Sequence, residues 1–346
     1  MKCDQPRQKL KPFNTFNIDV NAFQICIVNT IAHFIQVWNK SQEENLPIIC
    51  IGQGSNILFL EDYIGTVMIN RLKGIKIIEK SNTWHLHVAS GEDWHLLVEH
   101  TLKMGLFGLE NLAFIPGSVG SAAVQNIGAY GVEFKDFCEY VDLLNFKEKK
   151  IIRISASECG FKYRESIFQH DYNKNYVIIG VGILIKKKWY PKKKFLRCFN
   201  PMTIITAQYI FDKISYIRRK KLPNPILFGN AGSFFKNPII NLEQAAKLIA
   251  NYPEIKFYPQ STTKIKISAG WLINQCNMKK DKKGGAGIYK KNPLVLINEG
   301  NASGWDIAML AYKIRQHVAK KFDILLEPEV DFFCSHREIN PIEVIG

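Results

Sequence analysis

The chain has 346 residues, of which 47% are hydrophobic, 12% aromatic and 22% charged. This composition excludes a wholly disordered or collagen-like chain, and the length suits about two or three domains. The 46 lysines and arginines outnumber the 31 aspartates and glutamates, which gives a formal net charge of +15. That excess favours an anionic partner such as nucleic acid, an acidic lipid or a phosphorylated ligand without choosing among them. A nucleotide-composition bias of the genome is an alternative origin of the lysines.

The cysteines and the chain start indicate an intracellular protein. None of the eight cysteines belongs to a Cys-x-x-Cys pair, and their spacing is wide and irregular. This pattern argues against a zinc site and a disulfide framework, so we expect reduced thiols. Residues 1–16 lack the apolar core of a signal peptide. The most hydrophobic stretch, 176–185, is too short for a bilayer, which takes roughly 20 residues. We expect a soluble, cytoplasmic protein without membrane contact.

The first third of the chain predicts alternating short helices and strands. Apolar residues at helical spacing predict helices over 23–39 and 94–103. Runs of β-branched residues bounded by Gly, Pro or Asn predict strands over 46–51, 67–70, 75–79 and 85–89. Residues 105–131 are rich in Gly, Ala and Ser but almost uncharged, so we expect a loop lying against another surface.

The rest of the chain continues this mixture. Pro223 and Pro225 predict a domain boundary after a helix over 203–219. The basic run 186–194 is interpreted as a solvated hairpin or connector. The same patterns predict strands over 141–146, 177–185, 294–298 and 325–333, and helices over 242–251, 268–276 and 303–322. Many short strands favour an α+β fold over a doubly wound α/β sheet.

Two glycine-rich segments are candidates for phosphate binding. The first, Gly52-Gln53-Gly54-Ser55-Asn56, follows a predicted strand, and successive backbone N–H groups in such a turn can form a nest for anionic oxygens. The second, 116–131, has four glycines and no charge, so backbone dipoles and hydroxyls would hold a pyrophosphate there. Each alone also fits an ordinary turn, but together they favour a dinucleotide cofactor. The Rossmann fingerprint Gly-x-Gly-x-x-Gly is absent.

Three further side chains have both a structural and a functional interpretation. Arg164 lies among aromatic residues, where it is a surface stacking residue or an anchor for a carboxylate or phosphate. Ser233 lies in a turn that feeds a strand, or is a hydroxyl in a pocket, and no Gly-x-Ser-x-Gly hydrolase motif surrounds it. Glu329 lies in an apolar terminal strand, where an unpaired carboxylate is costly, so it is at the rim or functional. The eight histidines show no metal-binding pattern.

Taken together, these motifs resemble the UDP-N-acetylenolpyruvoylglucosamine reductase (MurB) family of flavoenzymes, in its longer, type I form. The matching strings occur in order across most of the chain, at 52–56, 109–131, 163–164, 229–238, 268–273 and 326–330. The resemblance implies an FAD-binding domain of the vanillyl-alcohol-oxidase (PCMH) type over 17–188, built from two α+β subdomains. It also implies a C-terminal α+β substrate-binding domain over 205–325 and a terminal strand segment, 326–346, that returns towards the flavin.

The resemblance also implies the chemistry. FAD, bound tightly without a covalent link and reduced by NADPH, would pass a hydride to the enolpyruvyl ether of a UDP-linked amino sugar, giving UDP-N-acetylmuramate for peptidoglycan. Arg164 and Glu329 would bind and polarise the substrate carboxylate, and Ser233 would protonate the neighbouring carbon. The expected FAD-binding residues are Gly52, Gly54, Ser55, Asn56, Pro116, Gly117, Ser118, Gly120, Ser121, Gln125, Asn126, Gly128 and Ala129. The expected substrate-binding residues are Tyr130, Tyr163, Arg218, Lys221, Asn237 and Tyr258.

Two positions depart from the family pattern. Gln53 replaces a glycine found in many relatives, which is tolerable if its φ is negative. Phe195 stands about where relatives place a substrate-contacting tyrosine. Because phenylalanine lacks the hydroxyl, substrate binding is expected to weaken by about 1 kcal/mol. We expect a monomer with no bound metal and no nucleic-acid partner. The alternatives are a flavin-dependent oxidase of the same superfamily with another substrate, and a basic nucleic-acid-binding protein, which needs clustered basic residues with exposed aromatics.

Overall fold

The computed structural model of the protein describes residues 7–170, 175–192 and 204–346. The described residues do not include Phe195. They also exclude residues 193–194 of the predicted basic run and residue 203 at the start of a predicted helix. The chain forms two compact units. The terminal unit contains the described residues of Met1–Phe23, Gly54–Ile64 and Lys221–Gly346, and the central unit contains those of Gln24–Gln53 and Gly65–Lys220.

The regular elements mix helices with many short strands, which confirms the predicted α+β class. In the described residues the helices are α1 (Ile31–Glu43), α2 (Trp94–Lys103), α3 (Val119–Val124), α4 (Ala207–Lys221), α5 (Leu242–Asn251), α6 (Ala269–Gln275), α7 (Gly304–Phe322) and α8 (Pro341–Ile345). The strands are β1 (Gln8–Lys9), β2 (Asn21–Val28), β3 (Ile48–Ile51), β4 (Ile57–Phe59), β5 (Tyr63–Asn70), β6 (Ile75–Glu79), β7 (Thr83–Ala89), β8 (Gly128–Ala129), β9 (Val132–Glu133), β10 (Cys138–Asn145), β11 (Lys150–Ser155), β12 (Tyr176–Lys186), β13 (Ile239–Asn241), β14 (Phe257–Pro259), β15 (Lys264–Ile267), β16 (Lys282–Lys283), β17 (Ala286–Ile288), β18 (Leu296–Asn298), β19 (Asp331–Phe333) and β20 (Glu338–Ile339).

The central unit is built on a five-stranded sheet in the order β11-β10-β12-β7-β6, and every neighbouring pair is antiparallel. Strand β12 lies in the middle and is buried along most of its length. Helices α2 and α3 belong to the same hydrophobic core, in which Trp94 and Val119 pack with Val181 of β12. The core therefore fixes the start of α2 and the loop before α3 against one sheet.

The terminal unit is built on helix α7 and small sheets. Residues at helical spacing on α7, among them Ile307, Leu310 and Ile314, are fully buried, as the sequence pattern predicts. Ser303 and Asp306 form a capping box that defines where α7 begins. The sheets have the orders β13-β15-β14, β16-β17-β18 and β20-β19-β4. In the last of these, β4 and β19 are parallel neighbours from distant parts of the chain.

Two predicted elements are right only in part. The segment predicted as a helix over 23–39 forms strand β2 and then α1, which begins after Thr30, whose side chain accepts a hydrogen bond from the His33 N–H. The apolar β-branched run of β2 pairs in a sheet, and short apolar runs do not separate strand from helix by spacing alone. The predicted strand over 325–333 is regular only in β19, and Pro328 before it forms an isolated antiparallel bridge with Phe235. Strand β20 and helix α8 follow it.

Candidate functional site

In the central unit, Gly52 lies against the second glycine-rich segment. A Cβ atom added to Gly52 would overlap the Oγ of Ser118, and one added to Gly120 would lie 2.8 Å from the Cβ of Ser90. Glycine at both positions therefore lets the backbone lie close to its neighbour, which a side chain would have to displace. Ser118 begins α3 through a capping box with Ser121, in which each side chain accepts from the other residue's backbone N–H.

The Gln53 side chain joins the two glycine-rich segments. Its Nε2 donates to Asp93 Oδ2 at 2.5 Å, and its Oε1 accepts from the Gly117 N–H at 3.0 Å. Asp93 also begins α2, because its Oδ1 accepts from the Leu96 N–H at 2.8 Å. The φ of Gln53 is not positive, which meets the condition predicted for replacing a glycine. Sequence analysis missed Asp93, although its place directly before the predicted helix was a signal.

These segments fit a dinucleotide cofactor. No charged side chain lies between residues 116 and 131, and glycine at positions 52 and 120 lets the backbone pack closely against Ser118 and Ser90. Backbone dipoles and hydroxyl groups can hold a pyrophosphate on such an uncharged segment without a lysine or arginine. The residues of the central unit that are predicted to bind FAD thus lie in two segments, which the Gln53 side chain connects by a hydrogen bond.

Arg164 lies beside the second glycine-rich segment. One of its guanidinium nitrogens donates to the Gly128 carbonyl at 2.7 Å, and the guanidinium carbon lies 5.3 Å from the centroid of the Tyr163 ring. Asn126 Nδ2 donates to the Lys162 carbonyl at 2.8 Å, which ties the same two segments together. The structure therefore places Tyr163 and Arg164 next to residues 126–130.

Arg218, on α4, belongs to the same group. Its Nε donates to the Phe114 carbonyl at 2.9 Å. Burial lowers the pKa of the Arg218 guanidinium, Tyr130 opposes this shift, and the positive charge of Arg164 adds to it. An arginine keeps its charge despite such a shift. Two cationic side chains near Tyr130 suit a ligand that carries more than one negative charge.

In the terminal unit, Ser233 and Glu329 lie on adjacent segments. Phe235 and Pro328 form an antiparallel bridge, and the Glu329 N–H donates to the Phe234 carbonyl at 2.8 Å. The Phe234 and Phe235 side chains are almost fully buried, whereas Ser233 and Glu329 are partly exposed. The buried aromatic pair thus anchors both segments and leaves a hydroxyl and a carboxyl near the surface of the unit.

The second half of the first glycine-rich motif lies in the terminal unit. Asn56 Nδ2 donates to the Glu329 carbonyl at 2.8 Å, so a predicted FAD-binding residue and a predicted catalytic residue are neighbours. Gly54 has a φ of 64°, and a Cβ there would overlap the Phe13 carbonyl. The Gly54 carbonyl accepts from the Thr15 N–H at 3.0 Å. The sequence contains no local sign of the pairing that brings Asn56 to Glu329.

The remaining predicted substrate-binding residues have separate environments. Asn237 Oδ1 accepts from the Ala269 N–H at 2.9 Å, at the start of α6. Tyr258 lies on β14 and is 41% exposed. Lys221 is the last residue of α4, three residues after Arg218, and is exposed.

The fold and the glycine-lined segments define the chain as an FAD-binding oxidoreductase. A model of the FAD binding domain family matches residues 24–155, and a model of the UDP-N-acetylenolpyruvoylglucosamine reductase C-terminal domain matches residues 224–333. The reductase of Pectobacterium atrosepticum is 49% identical over 339 residues, which cover 97% of this chain and 98% of that protein. The reductase of Escherichia coli (strain K12) is 46% identical and covers 97% of this chain and 99% of that protein. The chain therefore belongs to the UDP-N-acetylenolpyruvoylglucosamine reductase family.

A solved structure agrees at the level of the fold. UDP-N-acetylenolpyruvylglucosamine reductase from Thermus caldophilus matches with a TM-score of 0.63 and 23% identity, over 95% of this chain and 98% of that chain. Family membership confirms the predicted resemblance, the α+β class, FAD as cofactor and the oxidoreductase class. Among residues 7–170, 175–192 and 204–346, no helix is both long and apolar enough to cross a bilayer. The same residues contain no cluster of three His, Cys, Asp or Glu side chains suited to a metal ion.

Proposed function

We propose that the protein catalyses the NADPH-dependent reduction of UDP-N-acetyl-3-O-(1-carboxyvinyl)-glucosamine to UDP-N-acetylmuramate, a step in peptidoglycan precursor synthesis. The observation that carries the proposal is the position of Arg164 and Arg218 beside the glycine-rich segment of an FAD-binding unit. When bound, FAD supplies the hydride that the substrate receives. The proposal includes tight, non-covalent FAD binding, a monomeric state, a cytoplasmic location and no nucleic-acid partner.

Arg164 is the residue that binds the substrate carboxylate. When a hydride adds to the terminal methylene carbon of the enolpyruvyl group, negative charge develops on the adjacent carbon and spreads onto the carboxylate. A guanidinium held by the Gly128 carbonyl and the Tyr163 ring does not have to reorganise as this charge grows. Such fixed charges stabilise a transition state more than a ground state.

Ser233 and Glu329 complete the chemistry. Ser233 Oγ donates a proton to the carbon that carries the developing charge and regains one from solvent. Glu329 polarises the carboxylate from its place on the segment that Asn56 and Phe234 hold through backbone hydrogen bonds. Both side chains are partly exposed in the terminal unit, which leaves them accessible to a ligand.

The substrate diphosphate binds to cationic and polar side chains. Arg218 and Lys221 are three residues apart on α4 and therefore share one face of the helix. Tyr130, Asn237 and Tyr258 add neutral hydrogen-bonding groups. A diphosphate carries two negative charges, which suits a pair of helical cations.

The experiment is a pair of anaerobic half-reactions on the purified flavoprotein. NADPH is expected to bleach the flavin absorbance, and the enolpyruvyl nucleotide is expected to restore it and give a product heavier by two hydrogens. Turnover with a simple alcohol or sugar, and none with the enolpyruvyl nucleotide, would refute the proposal in favour of another flavin-dependent oxidase.

A further inference from the structure

The backbone of Phe114 connects a histidine to Arg218. Its N–H donates to Nδ1 of His95 at 3.1 Å, and its carbonyl accepts from Nε of Arg218 at 2.9 Å. Phe114 has a φ of 59°, in the left-handed region that residues with a Cβ rarely adopt. A backbone in this conformation persists only where its surroundings hold it, and these two hydrogen bonds are part of what holds it.

The His95 ring also packs against the helix that carries Arg218. It stacks on Phe211 of α4, with centroids 5.7 Å apart and planes at 14°, and meets the Phe114 ring edge to face at 5.3 Å. Phe211 precedes Arg218 by two helical turns, so the two lie on the same face of α4. His95 on α2 therefore contacts both the helix and the loop that position the Arg218 guanidinium.

The hydrogen bond from Phe114 requires a neutral imidazole. Nδ1 accepts, so the ring proton is on Nε2, which lies 3.5 Å from Glu99 Oε1. Burial is the main effect on His95 and lowers its pKa below the ordinary value of 6.5. Glu99 of α2 and Asp93, the residue before α2, oppose this shift, and Arg219 and Arg218 from α4 add to it. Protonation would turn Nδ1 into a donor facing the Phe114 N–H and would place a further positive charge beside two arginines.

We propose that His95 is a positioning residue for substrate binding: its neutral Nδ1 holds the Phe114 peptide, and the Phe114 carbonyl holds the Arg218 guanidinium. The inference deepens the proposed function, because it rests on Arg218 binding the substrate diphosphate. His95 touches neither substrate nor cofactor in this role. Its effect is therefore on KM for the enolpyruvyl nucleotide rather than on kcat.

Two variants test the acceptor nitrogen of His95 and its stacked ring one at a time. His95→Phe keeps a flat ring to stack on Phe211 but has no acceptor, and KM is expected to rise about five- to tenfold with kcat within about twofold. His95→Asn has an amide oxygen close to the position of Nδ1, so it is expected to keep KM within about twofold of the unmodified enzyme at pH 8. The matched control is His100→Phe, an exposed histidine of the same helix, for which no change in KM is expected.

The pH profile is a further readout that a merely structural role would not give. In the unmodified enzyme, KM is expected to rise when the pH falls past the lowered pKa of His95 and the imidazole becomes protonated. In His95→Asn this rise is expected to vanish, because the amide does not titrate. The ¹⁵N NMR signals of the His95 ring are expected to show the Nε2–H tautomer at pH 8.

Three results would overturn the inference: an unchanged KM in a folded, flavin-containing His95→Phe, a KM raised equally in both variants, or an Nδ1–H tautomer. If His95→Phe does not fold, the inference is tested by the pH profile of KM in His95→Asn and by the tautomer of His95 in the unmodified enzyme. Failure of the proposed function gives a different result, namely no turnover of the enolpyruvyl nucleotide by the unmodified enzyme. The tautomer and the Arg218 Nε–H signal then still test the linkage through Phe114.

Discussion

Replacing Gln53 by alanine is expected to loosen the junction between the two glycine-rich segments. The change removes the hydrogen bond to the Asp93 carboxylate and leaves the buried Gly117 N–H without its acceptor. A buried N–H that loses its partner costs about 1–3 kcal/mol, and the bond to a carboxylate adds to this. The free energy of unfolding is therefore expected to fall by about 2–3 kcal/mol, and FAD binding to weaken, because Gly117 lies in the segment that would bind the cofactor.

The measurements are urea denaturation with and without added FAD, and titration of the apoprotein with FAD by flavin fluorescence. Gln316→Ala is the matched control, because Gln316 lies exposed on α7 and its loss is expected to change stability by less than about 0.5 kcal/mol. A Gln53→Ala protein as stable as this control would refute the argument that Gln53 joins the segments.

Gln53→Glu sharpens the test because it keeps an acceptor for Gly117 but places a second carboxylate beside Asp93. Like charges raise the pKa of one of the two carboxylic acids, so the variant is expected to be destabilised at pH 7 and to regain stability relative to the unmodified protein as the pH falls. A stability difference that does not depend on pH between 4 and 7 would contradict the short contact between Gln53 and Asp93.

The remaining predictions concern the reacting groups and one glycine. Ser233→Ala is expected to leave flavin reduction by NADPH nearly intact and to slow reoxidation by the substrate by about 10²- to 10⁴-fold, as stopped-flow absorbance would show; equal slowing of both steps would make the role of Ser233 structural. Arg164→Lys is expected to slow the same reoxidation by about 10²-fold, because an ammonium lacks the fork that binds a carboxylate; an unchanged rate would remove Arg164 from carboxylate binding. Gly54→Ala is expected to lower the free energy of unfolding by about 1–3 kcal/mol or more, because its Cβ overlaps the Phe13 carbonyl and its φ is 64°; unchanged urea denaturation would contradict this.

Local signals were sufficient for several helices. The predicted helices 94–103 and 242–251 have the bounds observed for α2 and α5, and α7 begins one residue after the predicted start because Ser303 is its cap. Spacing and capping are properties of neighbouring residues, so a single sequence contains them. Strand β2 was predicted as a helix, because the pairing that makes it a strand comes from other segments of the chain.

The candidate site shows the same division. The glycine-rich composition of 52–56 and 116–131 indicated a dinucleotide, and the motifs around Arg164, Ser233 and Glu329 identified the family. Gln53 was expected only to be tolerated, whereas its side chain holds Gly117 and Asp93 together. Nothing in the spacing of the sequence indicated this, because a hydrogen bond between distant segments depends on how those segments pack.

The amino-acid sequence by itself determined the family of this protein and its cofactor class. Only the tertiary structure decided which backbone groups hold the predicted site residues, as with Asn56 beside Glu329 and His95 linked to Arg218 through Phe114. The physical reason is that a motif is a property of neighbouring residues along the chain, whereas a hydrogen-bond partner is selected by packing among elements that lie far apart in sequence.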